Sequence, residues 1–186
     1  MKIGVLALQG AVEKHLQALA GCGVEAVPVR LPGQLEGLAG LVIPGGESTA
    51  IGKLMDWYGF FPALRQFGRE RPVLGTCTGM ILLARALTAG KQPLLGMMDL
   101  VVERNAYGRQ VDSFEADLEV PVLGPPSLRG VFIRAPRVSQ VGPAVQVLAE
   151  HGGAPVLVQQ GKLLAASFHP ELTDDLRLHR YFLSLV

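Results

Sequence analysis

Short apolar runs alternate with segments of helical periodicity through the first half of this 186-residue chain. The apolar runs are too short for helices and are typical of strands buried on both faces: 3–8, 24–29, 41–43 and 72–75. Helices are predicted between and after them. In the first, Val12, Leu16 and Leu19 share one face and the glycines at 21 and 23 end the helix; the others lie over 47–58 and 61–69 and from Met80 through Leu87. Such alternation predicts a mostly parallel sheet covered by helices on both faces, a three-layer α/β fold.

Residues 94–133 differ from the first half because no helical segment separates their β-like runs. These runs predict antiparallel strands, either added to the main sheet or lying beside it. They lie at 100–102, 114–120 and 131–133.

The last third of the chain predicts a hairpin, a buried strand and a final helix. The hairpin pairs 145–149 with 155–159, and the buried strand follows over 163–168. Either Thr173 or Asp174 is expected to cap the final helix.

The charge balance excludes several classes of function. The chain has 17 Lys and Arg residues against 16 Asp and Glu residues, whereas a surface for nucleic acid or anionic membrane needs a basic excess.

Two cysteines make no disulfide framework and indicate a reducing compartment. No segment approaches the roughly 18 apolar residues of a membrane span. With no linker or repeat, residues 1–186 are expected to form one cytoplasmic domain.

The sharpest motif is Gly75-Thr76-Cys77-Thr78-Gly79, which stands directly between a predicted strand and a predicted helix. Its two glycines permit a tight turn with Cys77 in a strained conformation, as in a serine nucleophile elbow. The helix start then favours the thiolate, and the backbone N–H of Thr78 would face an oxyanion formed at the sulfur. A small buried cysteine beside a turn is the alternative. Cys22, between two glycines at a helix end, is expected to be structural.

Four histidines are candidates for the base that a thiolate needs. His169 ends a predicted strand, and Glu171, two places later, faces the same side of an extended chain. Glu171 can therefore accept a hydrogen bond from one imidazole nitrogen while the other faces Cys77, which gives a Cys-His-Glu triad. Taken alone, this segment also fits a turn with a helix-capping carboxylate. The other three histidines are expected to be unremarkable residues of solvated helices or a turn: His15, His151 and His179.

A glycine loop follows the third predicted strand over residues 44–49, Pro-Gly-Gly-Glu-Ser-Thr, and opens a helix. Glycines let the backbone approach a ligand closely, and N–H groups at a helix start bind a carboxylate or an oxyanion. The loop lacks the spacing of a phosphate-binding Walker motif, and a plain structural turn is the alternative. Arg104 and Arg134 are candidate clamps for a substrate carboxylate, although surface arginines are commoner.

Together these motifs resemble the class I, or triad, glutamine amidotransferases. Among them, five segments in the same order resemble the glutaminase subunits of pyridoxal 5′-phosphate synthases: 6–10, 44–49, 104–110, 132–136 and 167–171. The resemblance runs from residue 3 to the last helix. Thr78 departs from the family pattern, in which alanine is more usual after the nucleophile.

The resemblance implies a flavodoxin-like fold and the hydrolysis of L-glutamine to glutamate and ammonia. Cys77 would form the glutamyl thioester, His169 would exchange the protons and Glu171 would orient His169. The backbone N–H groups of Gly46 and Thr78 would form the oxyanion hole. The implied glutamine site comprises Gly46, Glu47, Ser48, Arg104, Ile133 and Arg134.

The resemblance also implies a partner, a (β/α)₈-barrel synthase subunit that uses the ammonia to build pyridoxal phosphate from a pentose phosphate and a triose phosphate. Heterodimers in a larger ring are implied, with Gln9-Gly10 at the interface. No metal, organic cofactor, nucleic acid or membrane is implied. Because free hydrolysis would waste glutamine, the isolated chain is expected to be a poor glutaminase until docking flips the Gly45–Gly46 peptide.

Three alternatives remain open at this point. The glutaminase that feeds imidazole glycerol phosphate synthase shares the triad, but the segments 104–108 and 132–136 speak against it. A stand-alone cysteine hydrolase would act on peptides or γ-glutamyl compounds. A regulatory module would carry a degenerate, inactive site, and the complete set of triad residues argues against it.

Overall fold

The computed structural model of the protein describes residues 1–104 and 113–186. This part of the chain contains twelve strands: β1 (Lys2–Leu6), β2 (Glu25–Val29), β3 (Gly40–Ile43), β4 (Val73–Thr76), β5 (Ala84–Leu87), β6 (Met98–Glu103), β7 (Ser113–Leu118), β8 (Leu128–Ile133), β9 (Arg137–Val141), β10 (Gln146–His151), β11 (Ala154–Gln160) and β12 (Leu163–Ala166). The same residues contain five α-helices: α1 (Val12–Gly21), α2 (Ser48–Trp57), α3 (Phe60–Glu70), α4 (Thr78–Leu83) and α5 (Arg177–Leu183). Short 3-10 turns lie at Pro32–Leu35, Pro121–Leu123 and Pro170–Leu172.

The main sheet has seven strands in the order β10-β11-β12-β4-β3-β1-β2. From β12 to β2 all neighbouring strands are parallel, and β10 and β11 extend the sheet as an antiparallel hairpin. Parallel strands need long crossovers, which α1 supplies between β1 and β2, and α2 with α3 between β3 and β4. The predicted mostly parallel sheet and the predicted hairpin are confirmed.

The strands of the main sheet alternate their side chains between two apolar clusters. In β3, Leu41 and Ile43 belong to one cluster and Val42 to the other, as the two-residue period of a strand requires. The first cluster contains buried residues of α2, α3 and α4, and the second contains buried residues of α1 and α5. Helices therefore cover both faces, and the predicted three layers are confirmed.

Two smaller sheets lie beside the main sheet, one of β5-β6-β9 and one of β7-β8. The pairs β6–β9 and β7–β8 are antiparallel, as predicted, whereas β5 pairs in parallel with β6. Buried residues of β6 join the first apolar cluster, and buried residues of β7 and β8 join the second. Each small sheet thus packs on a different face.

The helix predicted from Met80 through Leu87 is wrong in its second half. The helix α4 ends at Leu83, and the next four residues form β5. Helix propensity is a weak local preference, and here the pairing of β5 with β6 overrides it.

The predicted cap of the final helix is also wrong. The helix α5 begins at Arg177, and the backbone N–H of Arg177 donates to the Asp175 carboxylate. Thr173 instead donates its hydroxyl to the Pro170 carbonyl and closes the 3-10 turn there. Because this turn precedes the helix, neither Thr173 nor Asp174 lies where a cap is needed.

Parallel strands bring the segments of interest to one edge of the sheet. β3 ends at the glycine loop, β4 at Cys77, β12 just before His169, and β1 just before Gln9. In an open α/β sheet, ligands bind in the crevice outside the carboxyl ends of the strands. Among the described residues, none of the helices is long and apolar enough to span a membrane.

Candidate active site

Cys77 occupies a sharp turn between β4 and α4. Its backbone has φ 49° and ψ −103°, a conformation that side chains rarely adopt. Gly79 makes the turn possible, because a Cβ there would collide with the Ile43 carbonyl oxygen of the neighbouring strand. The thiol is buried, and its sulfur lies 3.8 Å from the Ile133 carbonyl oxygen. The turn has the form of a nucleophile elbow.

His169 and Glu171 lie beside the thiol and are nearly fully buried. The Nδ1 atom of His169 lies 2.7 Å from Oε1 of Glu171, so Nδ1 carries the proton and donates to the carboxylate. The other ring nitrogen is left for Cys77. Burial by itself lowers the pKa of His169. Hydrogen bonds with the Cys77 thiol and the Glu171 carboxylate outweigh burial and raise this pKa to about 10. The raised pKa favours a protonated His169 ring beside the Cys77 sulfur at neutral pH.

Glu171 holds its negative charge in spite of its burial. Burial raises its pKa, but the hydrogen bond from His169 and the proximity of His15 outweigh that effect, so the pKa lies below its usual value. Glu171 stands at the centre of the 3-10 turn Pro170–Leu172, which places its side chain behind His169. The carboxylate therefore contacts the imidazole and not the open pocket.

The glycine loop is held by the segment that follows β1. The Gly45 carbonyl accepts a hydrogen bond from the Ala11 N–H at 3.0 Å. Because a trans peptide keeps its N–H opposite its C=O, the Gly46 N–H points away from Ala11. The next N–H, that of Glu47, donates to the side-chain oxygen of Gln9 at 2.8 Å. Both ends of the Gly46 residue are thus oriented by contacts from residues 9–11.

The opposite side of the loop meets the elbow and the imidazole. The Thr78 hydroxyl donates a hydrogen bond to the Gly46 carbonyl oxygen. Gly45 approaches His169 so closely that a Cβ would collide with the ring. The Thr78 side chain therefore adds a direct bond between the Cys77 turn and the glycine loop.

A cavity of about 570 Å³ opens above Cys77 and His169. Its volume lies in the range of small-molecule sites. The cavity is lined by all six residues predicted for the glutamine site: Gly46, Glu47, Ser48, Arg104, Ile133 and Arg134. Thr78 also lines it, together with Gln9, Gly10, Ala11, Gly45 and Ile81.

Several of these lining residues have contacts that the sequence patterns did not predict. The carboxylate of Glu47 caps α2 and accepts hydrogen bonds from the N–H groups of Thr49 and Ala50. The bond from the Thr49 N–H is the main cause that lowers the pKa of Glu47. Arg104 donates to the side-chain oxygen of Gln92 at 2.7 Å, and Ser48 donates to the same oxygen at 3.1 Å. Gln92 stood in no motif, and its contacts exist only in the folded chain.

The backbone also carries strain on the far wall of the cavity. Arg134 has φ 43°, the second positive φ among the described residues other than glycine. The first is that of Cys77, which faces the carbonyl of the residue before Arg134. Such strained positions are concentrated at functional sites. Of the segment 104–110 that carries part of the resemblance, only Arg104 lies within the described residues.

The expectation that His15 and His179 are solvated is wrong. Both are fully buried, and Nδ1 of His15 lies 3.1 Å from Nε2 of His179. His15 occupies the buried face of α1, and the pattern Val12, His15, Leu16 and Leu19 has the spacing of such a face. That spacing could have predicted that His15 is buried, but the charged residues next to His15 favoured a solvated position. His151 is half-buried and stacks against Phe114.

A buried Cys-His-Glu cluster at the carboxyl edge of a mostly parallel sheet, facing a glycine loop, has the architecture of the class I glutamine amidotransferases. The comparison with known families agrees with this class. The chain belongs to the SNO glutamine amidotransferase family, whose sequence model matches residues 5–186.

Close relatives match over nearly the whole chain. The pyridoxal 5′-phosphate synthase subunit PdxT of Pelotomaculum thermopropionicum is 59% identical, over 98% of this chain and 94% of the relative. The subunit of the same name from Desulforudis audaxviator is 57% identical, over 100% of this chain and 99% of the relative. A crystal structure described as a glutamine amidotransferase has a TM-score of 0.94 at 54% identity, covering 98% of this chain and 97% of that one.

Proposed function

We propose that this protein is the glutaminase subunit of a pyridoxal 5′-phosphate synthase, with Cys77, His169 and Glu171 as its catalytic triad. The observation that carries the proposal is the 2.7 Å contact between His169 and Glu171 behind a buried thiol that lines the cavity. Family membership supports the reaction class, and the names of the relatives support the pathway, vitamin B6 synthesis.

In the first half of the reaction, the Cys77 thiolate attacks the side-chain amide carbon of L-glutamine. The C=O electron pair moves onto oxygen and gives a tetrahedral oxyanion. When this intermediate collapses, the C–N bond breaks and the nitrogen takes the proton held by His169. Ammonia leaves, and a glutamyl thioester remains on Cys77. The raised pKa of His169, about 10, supports its starting role as a proton donor.

In the second half, the now neutral His169 takes a proton from water, and the hydroxide attacks the thioester carbon. A second oxyanion forms, the C–S bond breaks with its electron pair returning to the Cys77 sulfur, and the new carboxylic acid loses its proton to water and leaves as glutamate. The backbone N–H groups of Gly46 and Thr78 stabilise both oxyanions. Glu171 keeps the imidazole oriented and compensates its positive charge throughout, without exchanging a proton itself.

The remaining residues of the cavity bind the amino acid end of glutamine. Arg104 lies on the wall beside Ser48, where a guanidinium can pair with the substrate carboxylate. Arg134 with Ile133 and the loop residues Gly46 and Glu47 complete the enclosure. Glu47 and Arg104 already have partners in the protein, so they are held in place before substrate arrives.

The ammonia passes to a (β/α)₈-barrel synthase subunit, with which this chain forms heterodimers in a larger ring in the cytoplasm. Docking near Gln9 and Gly10 would act directly on the oxyanion hole. The supporting contacts are those of Ala11 with the Gly45 carbonyl and of Gln9 with the Glu47 N–H. A partner that shifts this segment changes which group of the Gly45–Gly46 peptide faces the substrate.

Glutamine labelled with ¹⁵N in its amide group tests the function. With the synthase subunit and its two sugar phosphates present, the wild-type chain should transfer ¹⁵N into pyridoxal phosphate. The Cys77→Ala variant should transfer none, while added ammonium chloride restores product and shows that the synthase is intact. Labelled product with Cys77→Ala would refute the triad, and unlabelled product with the wild type would refute the function.

A further inference from the structure

A buried histidine that the reaction above does not use lies directly behind the triad carboxylate. The Nε2 atom of His15 is 3.2 Å from Oε2 of Glu171, and both side chains are fully buried. Oε2 has no regular hydrogen bond within residues 1–104 and 113–186, so the nearby N–H of His15 is its electrostatic partner. Oε1, by contrast, accepts the proton of His169.

The neighbours of His15 determine which of its nitrogens carries the proton. An ionised carboxylate is an acceptor only, so the Nε2 atom that faces Glu171 must be the N–H. The same nitrogen lies 3.0 Å from the Thr76 hydroxyl, in the residue before the nucleophile. In the neutral ring Nδ1 is then an acceptor, and Nε2 of His179 donates to it at 3.1 Å.

The pKa shifts of His15 and His179 agree with this series of hydrogen bonds. Burial lowers the pKa of His15, and burial together with the neighbouring His15 lowers the pKa of His179 to about 4. Both rings are therefore neutral at pH 7. A neutral His15 supplies a dipole to Glu171 without a competing positive charge, so the carboxylate charge stays available to His169.

We propose that His15 is a positioning residue of the triad: braced by Thr76 and His179, it fixes the second oxygen of Glu171 and, through Glu171, the imidazole of His169. The physical need is clear, because the terminal torsion of a glutamate is broad and one hydrogen bond does not fix it. A buried anion with an unpaired oxygen is also costly. The inference rests on the proposed glutaminase function.

The contact between His15 and Glu171 is the second by which the α1 region supports the site. The helix begins directly after Ala11, whose N–H donates to the Gly45 carbonyl, and its fourth residue is His15, which contacts Glu171. The glycine loop and the triad carboxylate thus both contact the start of one helix. A displacement of α1 would move both.

Two conservative variants separate the positioning role from simple packing. In His15→Gln the amide nitrogen lies where Nε2 was, and the contact with Glu171 survives. In His15→Asn the amide reaches only the Nδ1 position, which faces His179. Melting temperatures of both variants, purified with the synthase subunit, establish that they are folded.

The expected result is a fall in kcat of roughly 10-fold for His15→Asn, with KM for glutamine within about twofold, and recovery to near wild type for His15→Gln. A role through Glu171 also predicts non-additivity: His15→Asn should cost little more when Glu171→Gln is already present. Equal kcat for the Gln and Asn variants, or additive losses in the double variant, would overturn the proposal.

A second readout needs neither glutamine nor the partner. In a Cys22→Ala background, the rate of Cys77 alkylation by iodoacetamide at pH 7 reports how well His169 supports the thiolate. It should fall in His15→Asn and be preserved in His15→Gln. If the wild-type complex hydrolyses no glutamine, the proposed function fails while this readout still decides the role of His15. Equal alkylation rates in the two variants would refute it.

Discussion

Cys77 has a backbone conformation and an environment that Cys22 lacks. Cys77 lines the cavity beside His169, whereas Cys22 ends α1 and its pKa is raised by burial. Cys77→Ala should lower glutamine hydrolysis by at least about 10³-fold, because the covalent nucleophile is lost. Cys22→Ala should leave turnover unchanged. Glutamate release by the complex with the synthase subunit measures both, and near-normal activity of Cys77→Ala would refute the assignment.

His169 and Glu171 have different tasks in the proposed mechanism, so their removal should differ in cost. His169→Asn removes the group that exchanges protons, at a cost of about 10²–10⁴-fold in kcat. Glu171→Gln retains a hydrogen-bond acceptor for Nδ1 and should leave more activity than His169→Asn. Steady-state kinetics of the two variants test this order. An essential His151, or a Glu171→Gln variant weaker than His169→Asn, would contradict it.

At the scale of elements, α1 and α5 meet through the buried pair His15 and His179. A neutral histidine whose pKa is lowered to about 4 in the folded state binds its proton first in the unfolded chain. Its contribution to stability is complete above the unfolded pKa of roughly 6.5 and is lost as the pH falls through the folded value. Acid should therefore loosen the α1–α5 contact before the sheet.

The variant His179→Gln keeps an amide donor for His15 but removes this titration. Between pH 6.5 and about 4, the wild type should lose up to about 1.4 kcal/mol of unfolding free energy per pH unit more than the variant. Urea unfolding at pH 7, 5.5 and 4.5 gives the two slopes. Parallel slopes would show that His179 is not a buried neutral group.

For the whole molecule, the proposed oxyanion hole depends on the segment Gln9 to Ala11, which contacts the glycine loop and contains the proposed docking residues. We expect the isolated chain to be a poor glutaminase that a catalytically dead synthase subunit activates by about 10²–10³-fold, the effect of aligning one oxyanion donor. Turnover of pure chain is compared with turnover after the dead subunit is added. Equal rates would mean that the hole is complete without a partner.

Local pattern in the sequence determined most of the architecture and the composition of the site. Apolar runs of three to six residues determined the strands of the main sheet, because burial on both faces requires such runs. The elbow motif and the i, i+2 spacing of His169 and Glu171 indicated a triad, because a turn and an extended chain orient neighbours predictably. These features depend on nearby residues alone.

Only the tertiary structure decided what depends on distant partners. His15 and His179 are 164 residues apart, and their contact exists because α1 and α5 pack on the same face of the sheet. Residues 84–87 form a strand because β6 pairs with them, against their helical preference. Gln9, Gln92 and Thr78 gained their roles in the same way, through hydrogen bonds across loops. Burial and pairing are properties of the assembled layers, and periodicity within one segment does not contain them.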